Sequence, residues 1–534
     1  MPPSAAPSRL PLAALTAIVL LGAAMRCWQA RESLWLDELH TAWCATGPLA
    51  EVAPRATIGN QSPLFFWLSW FVVQPFGPGE LTVRLPSLVA GSLLPIALYG
   101  LIRHWTREPW LGVLAAWLTV VDPVQIFYAT EARPYALVQL LAVVHIGLLA
   151  ELLHSPPQSS PPLGGKFRDP VAGYGLHCAF VLIAALLFHL HYTAALLFPA
   201  EIAAVVLIAT SRARGQLASQ DAALAPVAWT TLLCDGLVVA VLCLPATPNV
   251  LAIFERRTNW ELFVPQPTLG SIVTLLPWSW TAAIVLVGQA SRLFRRPIEP
   301  TEVCPSILAL SWLIVPLALA WLLTATDVAR LFFLRYLMVS APAAIVLATL
   351  AVPLIPWRTA QIPAGLAVAL AALWTAVIPQ FATDGRLIDR GHGDWRSAVA
   401  HFNRQPDHDR YPVLVTTQLI EADALRGSPD PALAAYCLFP VHSLYPIDAD
   451  PAITIPLPRT SPGELDSQVR DLVRSRSGAW LIVGGSAAAV DGITQAMQAS
   501  LSAVRAHESE WQAVQRHSFG TVHVLRFEPL DRGP

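Results

Sequence analysis

The stretch LPLAALTAIVLLGAAMRC at residues 10–27, followed by WQARESLWLDELHTAW at residues 28–43, decides the fold class. A helix of about 20 mostly apolar residues crosses a hydrocarbon core about 30 Å thick, because each residue rises about 1.5 Å. The first part carries one charge, at Arg26. It has the length of a signal peptide, but no small-residue cleavage site precedes Trp28 and further apolar runs follow. We interpret residues 10–27 as an uncleaved first membrane span.

The composition extends this interpretation to most of the chain. Of the 534 residues, 54% are hydrophobic and 13% are charged, whereas about 25% are charged in an ordinary soluble domain. A net charge of -2 shows no basic excess, so nothing favours nucleic acid as a partner. We predict a polytopic α-helical membrane protein with about eleven transmembrane helices. The predicted spans are residues 10–27, 86–102, 110–127, 135–153, 174–190, 193–210, 223–244, 273–291, 304–323, 337–355 and 361–379.

The basic residues of the short loops predict the orientation in the plasma (inner) membrane. With the N-terminus in the cytoplasm, eleven basic residues lie inside and nine lie outside before residue 380. This bias favours a cytoplasmic N-terminus. The odd number of spans then places the C-terminus on the extracytoplasmic side.

Two long regions outside the spans have the character of folded structure. Within the membrane domain, predicted as residues 1–380, residues 28–85 form an outer loop whose apolar and aromatic stretches indicate short interfacial helices. Residues 381–534 have the composition of a soluble extracytoplasmic domain, with alternating strands and helices that indicate a small α/β fold. The predicted strands are residues 411–417, 479–485 and 521–529, and the predicted helices are residues 461–476 and 487–504.

The first outer loop contains two adjacent carboxylates, Asp37 and Glu38, with His40 close behind them. Carboxylates near a membrane surface are costly unless they are solvated, paired or used in function. Taken alone, the pair is also compatible with a solvated loop. Other polar residues predicted for the same side of the membrane favour a functional interpretation.

Most of those other residues lie at or near the ends of predicted spans. Glu131 and Arg133 occupy the short outer connection before the fourth span, where they could also simply neutralise one another. Together with the first loop, the candidates expected on the outer face are Asp37, Glu38, Glu131, Arg133, Tyr135, His189, His191, Tyr192, Trp260, Arg335 and Tyr336.

Several of these candidates have a structural as well as a functional interpretation. His189 and His191 are separated by one residue, which is not a helical metal pair, and they could cap or snorkel at a helix end. Arg335 could anchor a helix end, or its planar guanidinium could bind phosphate oxygens in a bidentate manner. Trp260 could stack on a sugar ring or lie at the interface as tryptophans commonly do.

Taken together, the sequence resembles the GT-C glycosyltransferases, within them the bacterial relatives of dolichyl-phosphate-mannose protein mannosyltransferases and of lipid A aminoarabinose transferase. Seven matching elements occur in the family's order over residues 28–402. They are LWLDELHTAW, QSPLFFWL with GELTVRLPSLVAGSLL, IFYATEARPYAL, HLHYTAALL, NWELFVPQPTLGSIVTLL, FLRYLMVSAPAAIVLA and DWRSAVAHF. Relatives often have a His-Pro-Pro stretch where this chain has Gln61-Ser62-Pro63, which weakens any role for this position as a proton acceptor or metal ligand.

The resemblance implies a polyprenyl-phosphate sugar donor, and the chemistry of that donor assigns roles to the residues. A phosphate leaving group is already weakly basic, so it needs electrostatic stabilisation and a single carboxylate base. We expect Asp37 to deprotonate the acceptor hydroxyl, giving inversion, with Glu38 and His40 orienting or tuning it. Arg133 and Arg335 are the candidates for the lipid phosphate.

The remaining candidates are assigned to substrate binding, and two other functions stay open. Glu131 would hold Arg133 or contact sugar hydroxyls, and Trp260 is the candidate for stacking on the sugar; the other substrate-binding candidates are Tyr135, His191, Tyr192 and Tyr336. No cofactor is implied, a divalent metal is left open, and the acceptor is a glycan, a lipid or a protein. The alternatives are a secondary transporter, although its charges would be expected near the bilayer midplane, and a non-catalytic glycan assembly protein.

Overall fold

The computed structural model describes most of the chain. Trp260, residues 155–169 and the predicted span at residues 273–291 lie outside the described residues. The described residues are 10–154, 170–213, 229–257, 264–272, 300–426, 430–460, 465, 467–476, 478–504 and 510–530.

Helices dominate the described part of the chain. They are α1 (Leu10–Gln29), α2 (Leu36–Thr46), α3 (Leu49–Ile58), α4 (Leu64–Phe76), α5 (Glu80–Thr106), α6 (Pro109–Val121), α7 (Pro123–Ala129), α8 (Tyr135–His154), α9 (Pro170–Leu190), α10 (Leu197–Ala213), α11 (Trp229–Cys243), α12 (Thr247–Glu255), α13 (Pro300–Ala325), α14 (Ala341–Ala351), α15 (Arg358–Ala376), α16 (Ile378–Asp384), α17 (Trp395–Phe402), α18 (Pro431–Phe439), α19 (Ser467–Arg474) and α20 (Ala487–Val504). Short 3₁₀ segments precede α10 at Tyr192–Leu196 and α14 at Leu334–Ser340.

The helices long and apolar enough to cross a membrane confirm a polytopic membrane protein. Among the described residues there are eight, or nine if one bent pair counts as a single span. Leu64–Phe76, Tyr174–Leu190 and Pro431–Leu444 are shorter apolar helices. The predicted total of about eleven transmembrane helices remains a prediction. The eight helices are Leu10–Gln29, Glu80–Thr106, Tyr135–Leu153, Tyr192–Ala213, Trp229–Glu255, Cys304–Ala325, Leu334–Leu354 and Arg358–Asp384.

The predicted continuous span at residues 110–127 is instead broken into α6 and α7, which meet at an angle of 65°. Pro123 lacks the N–H that would continue α6, and the Asp122 side chain caps α7 by accepting a hydrogen bond from the Gln125 N–H at 2.9 Å. The apolar pattern continues through the break, which is why hydropathy alone predicts one span.

The chain divides into two compact units. The first comprises Met1–Gln29, Ser62–Phe65 and Pro86–Ile388, and the second comprises Ala30–Gln61, Phe66–Leu85 and Asp389–Pro534. The first unit has a continuous apolar core in which Trp312 is completely buried and donates its indole N–H to the Val339 carbonyl at 2.7 Å.

The second unit combines helices α2 and α3 of the first loop with a five-stranded sheet from the C-terminal region. The strand order is β2 (Thr454–Pro456), β1 (Val413–Thr416), β3 (Ala479–Gly484), β5 (Val522–Leu530) and β4 (Glu510–Phe519). β2, β1 and β3 are parallel, whereas β5 and β4 run antiparallel to their neighbours.

The predicted α/β character of the C-terminal region agrees with this sheet. Strands β1, β3 and β5 and helix α20 lie where the sequence predicts them, and α19 occupies part of the predicted helix at residues 461–476. The pattern does not reveal β2, which has three residues, or β4, whose sequence EWQAVQRHSF is largely polar. Because the first loop and the C-terminal region share one compact unit, the fold is consistent with both lying on the same side of a membrane.

Candidate active site

Asp37 and Glu38 lie in the first turn of α2, which begins directly after the loop at residues 30–35. The unsatisfied N–H groups of a helix N-terminus favour negative charge there. Asp37 is partly exposed, whereas Glu38 is completely buried. The two adjacent carboxylates therefore occupy different environments, and of the pair Asp37 is the one that solvent can reach.

Glu38 is held in a buried ion pair with Arg84 of α5. The Arg84 Nε donates to Glu38 Oε1 at 2.6 Å and its Nη2 donates to Glu38 Oε2, while both side chains are fully buried. Glu38 Oε2 also accepts the Trp35 backbone N–H at 3.3 Å, and Arg390 Nη2 lies 3.7 Å from Oε1. This geometry favours the orienting role for Glu38 and leaves Asp37 as the candidate proton acceptor.

We expect Glu38→Ala to lower the free energy of unfolding by about 3–5 kcal/mol, because it leaves the Arg84 guanidinium buried without its counter-charge. Glu51→Ala, which breaks a surface pair with Arg55, is the matched control and should cost at most about 1 kcal/mol. Denaturant unfolding of the purified variants in detergent measures both. Equal stability of the two variants would contradict a structural role for the Glu38 pair.

His40 lies in an aromatic cluster rather than beside solvent. It is 2% exposed, and its ring centroid lies 5.2 Å from that of Phe66 and 5.5 Å from that of Tyr436. Its Nε2 is 3.1 Å from the Arg55 carbonyl oxygen, and a Cβ at Gly59 would stand 2.3 Å from its Cε1. His40 therefore packs α2 against α3 and α18, and any effect on Asp37 would pass through the helix.

The structure adds His392 to the surroundings of the carboxylate pair. Its ring stacks on Trp35 at 3.9 Å with an interplanar angle of 5°. Burial and the Arg390 guanidinium lower the pKa of His392 to about 4, although the carboxylates of Glu38 and Asp37 act in the opposite direction. The imidazole is therefore neutral near pH 7. Nothing in the local sequence GHGDW indicates that it would meet residues 35–38.

A second polar cluster lies in the other compact unit, where Glu131 and Arg133 follow α7. Both side chains are buried, at 2% and 4% exposure. The Arg133 carbonyl accepts a hydrogen bond from Ser87 Oγ at 2.8 Å, and its N–H donates to the Glu131 carbonyl at 2.8 Å. Tyr135 opens α8 directly afterwards. The bend at Asp122 thus precedes a tightly fixed segment that carries a buried cation and a buried carboxylate.

His191 joins this second cluster to the segment that carries Arg335. The His191 ring centroid lies 5.4 Å from that of Tyr135 and 6.1 Å from that of Tyr336. His191 Nδ1 is 2.7 Å from Thr193 Oγ1, which donates to the Tyr336 carbonyl at 3.0 Å. Five predicted residues, Arg133, Tyr135, His191, Arg335 and Tyr336, are thereby brought together.

Two guanidinium groups act on His191 in the second cluster, which also holds the Glu131 carboxylate. Burial, followed by the positive charges of Arg133 and Arg335, lowers the pKa of His191 to about 4. The imidazole is therefore neutral near pH 7 and can accept or donate a hydrogen bond without adding charge. Two guanidinium groups in a mainly apolar bundle suit an anionic ligand, because guanidinium binds phosphate in a planar bidentate manner.

The remaining predicted residues have separate contacts. The Tyr192 hydroxyl accepts a hydrogen bond from Asn249 Nδ2 at 2.9 Å, and His189 Nε2 lies 3.0 Å from the Leu242 carbonyl oxygen. Trp260 lies outside the described residues. In the part of the chain that the structure describes, no group of three or more His, Cys, Asp and Glu side chains is arranged to hold a metal ion. A divalent metal stays an open prediction.

Comparisons with known proteins agree with this architecture. Residues 60–156 match the family model of dolichyl-phosphate-mannose-protein mannosyltransferase. The crystal structure of ArnT from Cupriavidus metallidurans bound to undecaprenyl phosphate is similar with a TM-score of 0.50 and 14% identity, covering 97% of this chain and 98% of that chain. The apo state of ArnT gives a TM-score of 0.50 and 12% identity, covering 97% of each chain. No curated protein sequence matches the chain.

A third similar structure is the Archaeoglobus fulgidus oligosaccharyltransferase tethered with an acceptor peptide containing the NVT sequon. It has a TM-score of 0.49 and 11% identity, covering 99% of this chain and 74% of that chain. The ArnT likeness shows that the chain has the GT-C membrane fold, and the family match relates residues 60–156 to the mannosyltransferases.

Proposed function

We infer that this chain, which has the GT-C fold and is related over residues 60–156 to dolichyl-phosphate-mannose-protein mannosyltransferases, is a membrane glycosyltransferase. It transfers a sugar from a polyprenyl-phosphate donor to an extracytoplasmic acceptor. The observation that carries this proposal is the unequal pair at the start of α2. Glu38 is buried and neutralised by Arg84, whereas Asp37 is partly exposed.

The proposed reaction needs one carboxylate base. Asp37 accepts the proton of the acceptor hydroxyl while the hydroxyl oxygen attacks the anomeric carbon of the donor sugar. The new glycosidic bond forms as the bond between that carbon and the phosphate oxygen breaks, and its electron pair leaves with the phosphate. A single displacement inverts the anomeric configuration.

The donor phosphate needs positive charge because negative charge grows on it as the bond breaks. Arg133 and Arg335 are proposed to supply that charge. Their joint effect on His191 supports a cationic site in this part of the first unit. The described ArnT structure binds undecaprenyl phosphate, and a lipid phosphate of this class is what we propose for this chain.

The remaining polar groups of the second cluster are proposed to bind the sugar. The buried Glu131 carboxylate can accept hydrogen bonds from sugar hydroxyls or orient Arg133, and Tyr135 and Tyr336 flank the neutral His191. Tyr192 and Trp260 are proposed as substrate-binding residues on the family resemblance alone.

Mass spectrometry of envelope glycans and lipid-linked sugars in a strain lacking the gene tests this function. We expect one polyprenyl-phosphate sugar to accumulate and one envelope glycan, lipid or protein to lose that sugar, with both changes reversed by the wild-type gene. The accumulating lipid would name the donor. Unchanged lipid-linked sugars together with an unchanged envelope would contradict the proposal.

A further inference from the structure

The loop at residues 30–35, which leads into α2 and Asp37, is held on one side by α5. Arg84 Nη1 donates to the carbonyls of Ala30 at 2.7 Å and Glu32 at 2.6 Å, and its Nη2 donates to the Ser33 carbonyl at 3.2 Å. Arg84 therefore satisfies three loop carbonyls as well as the Glu38 carboxylate. The path of the loop is fixed by a fully buried side chain.

The C-terminal region holds the same loop through Tyr445. Its hydroxyl accepts the Leu34 backbone N–H at 3.0 Å and donates to Glu80 Oε1 at 3.0 Å. It also lies 3.4 Å from Ser33 Oγ. Tyr445 is 8% exposed, and burial raises the pKa of its hydroxyl above the usual range, so the group remains a proton donor. One hydroxyl thus joins the loop to the first residue of α5.

The motif DWR at residues 394–396 adds a second connection. Arg396 Nη1 donates to Glu80 Oε1 at 3.0 Å, and its Nη2 donates to the Arg31 carbonyl at 3.0 Å. The Arg396 backbone N–H donates to Ser33 Oγ at 3.3 Å. Asp394 caps α17 by accepting the Ser397 N–H at 3.0 Å, which orients the helix that carries Arg396.

His392 completes the set of contacts from the C-terminal region, because it stacks on Trp35 at the residue where α2 is capped. Asp37 follows Trp35 by two residues. Arg84 therefore holds three carbonyls of the loop, Tyr445 holds the Leu34 N–H, and His392 holds the Trp35 ring at the end of the loop. All of these residues belong to the second compact unit.

We propose that Tyr445, Arg396 and His392 are positioning residues for Asp37, so that the C-terminal region forms part of the base site. This inference rests on the proposed function, since it takes Asp37 as the base. The three residues do not touch the reacting atoms. They act by fixing the loop whose end sets where the carboxylate lies, and a misplacement of about 1 Å can cost about 100-fold in rate.

The test is Tyr445→Phe, which removes one hydroxyl and keeps the ring. Purified protein in nanodiscs is given the polyprenyl-phosphate sugar that accumulates in the deletion strain and acceptor membranes from that strain. We expect kcat to fall about 10- to 100-fold while KM for the donor stays within about twofold. Hydrogen exchange at the amides of residues 31–36 should become faster, because the Leu34 N–H loses its acceptor.

Tyr411→Phe is the matched control, since Tyr411 is a buried tyrosine of the same unit whose ring packs against Arg526. It should leave kcat and the exchange of residues 31–36 unchanged. Wild-type kcat and wild-type exchange in Tyr445→Phe would overturn the positioning role. Exchange is measured without substrate, so it tests whether the Tyr445 hydroxyl fixes the loop independently of the reaction. Faster exchange in Tyr445→Phe together with an active Asp37→Asn would place the failure in the proposed function and not in the loop contact.

Discussion

Asp37→Asn is expected to abolish sugar transfer while the protein stays folded and still binds undecaprenyl phosphate. Asparagine keeps the size of the side chain but cannot accept a proton near neutral pH, and a positioned base contributes about 10²- to 10⁴-fold to a rate. The partial exposure of Asp37 and its place outside the Arg84–Glu38 pair mean that the substitution leaves the buried ion pair intact. Turnover and undecaprenyl phosphate affinity of the purified variant in nanodiscs measure the two effects.

The matched control for Asp37→Asn is Glu51→Gln, which neutralises an exposed carboxylate of α3 in the same unit. It should keep wild-type turnover. A turnover of Asp37→Asn within a few-fold of wild type would remove Asp37 as the base. Loss of folding would be visible as a lowered unfolding midpoint, which we do not expect for a partly exposed residue.

Arg335→Ala should weaken binding of undecaprenyl phosphate and reduce turnover together. A hydrogen bond to a charged group is worth about 1.5–3 kcal/mol, which corresponds to about 10- to 100-fold in affinity. Arg335→Lys should give an intermediate loss, because an ammonium group keeps the charge but lacks the planar bidentate geometry. The phosphate is bound before and during bond breaking. In Arg335→Ala, KM should therefore rise and kcat/KM should fall.

The control for Arg335→Ala is Arg103→Ala, since Arg103 is an exposed arginine of the same unit whose guanidinium lies over the Tyr99 ring. It should change neither affinity nor turnover. Unchanged undecaprenyl phosphate affinity in Arg335→Ala would take Arg335 out of the donor site and leave Arg133 as the remaining candidate.

The membrane-spanning architecture follows from the sequence because hydropathy depends on composition over a window, which tolerates errors in the boundaries. The C-terminal strands at residues 413–416 and 479–484 follow from short apolar runs for the same reason. The break at Asp122 and the polar strand β4 do not follow. The break depends on Pro123 and on the Asp122 cap, and β4 depends on its pairing with β5. Neither leaves a trace in a hydropathy pattern.

The candidate residues follow from the sequence better than their roles do. The acidic pair and the two arginines stand out because charge near a bilayer is costly. Nothing local distinguishes Asp37 from Glu38, since the difference comes from Arg84, which lies 46 residues away. Arg84, the single arginine in GELTVRLPSLVAGSLL, is the one feature of the sequence that indicates its ion pair with Glu38. Tyr445 and His392 lie more than 350 residues from the loop they contact and leave no such sign.

In the proposed reaction, the donor sugar leaves its lipid phosphate on this protein. The most direct measurement is the yield of polyprenyl phosphate from the donor that accumulates in the deletion strain, incubated with purified wild-type protein in nanodiscs and with acceptor membranes from that strain. We expect one polyprenyl phosphate to be released for each sugar transferred, and none with Asp37→Asn. Donor that remains intact with wild-type protein, or equal release by wild type and Asp37→Asn, would contradict it.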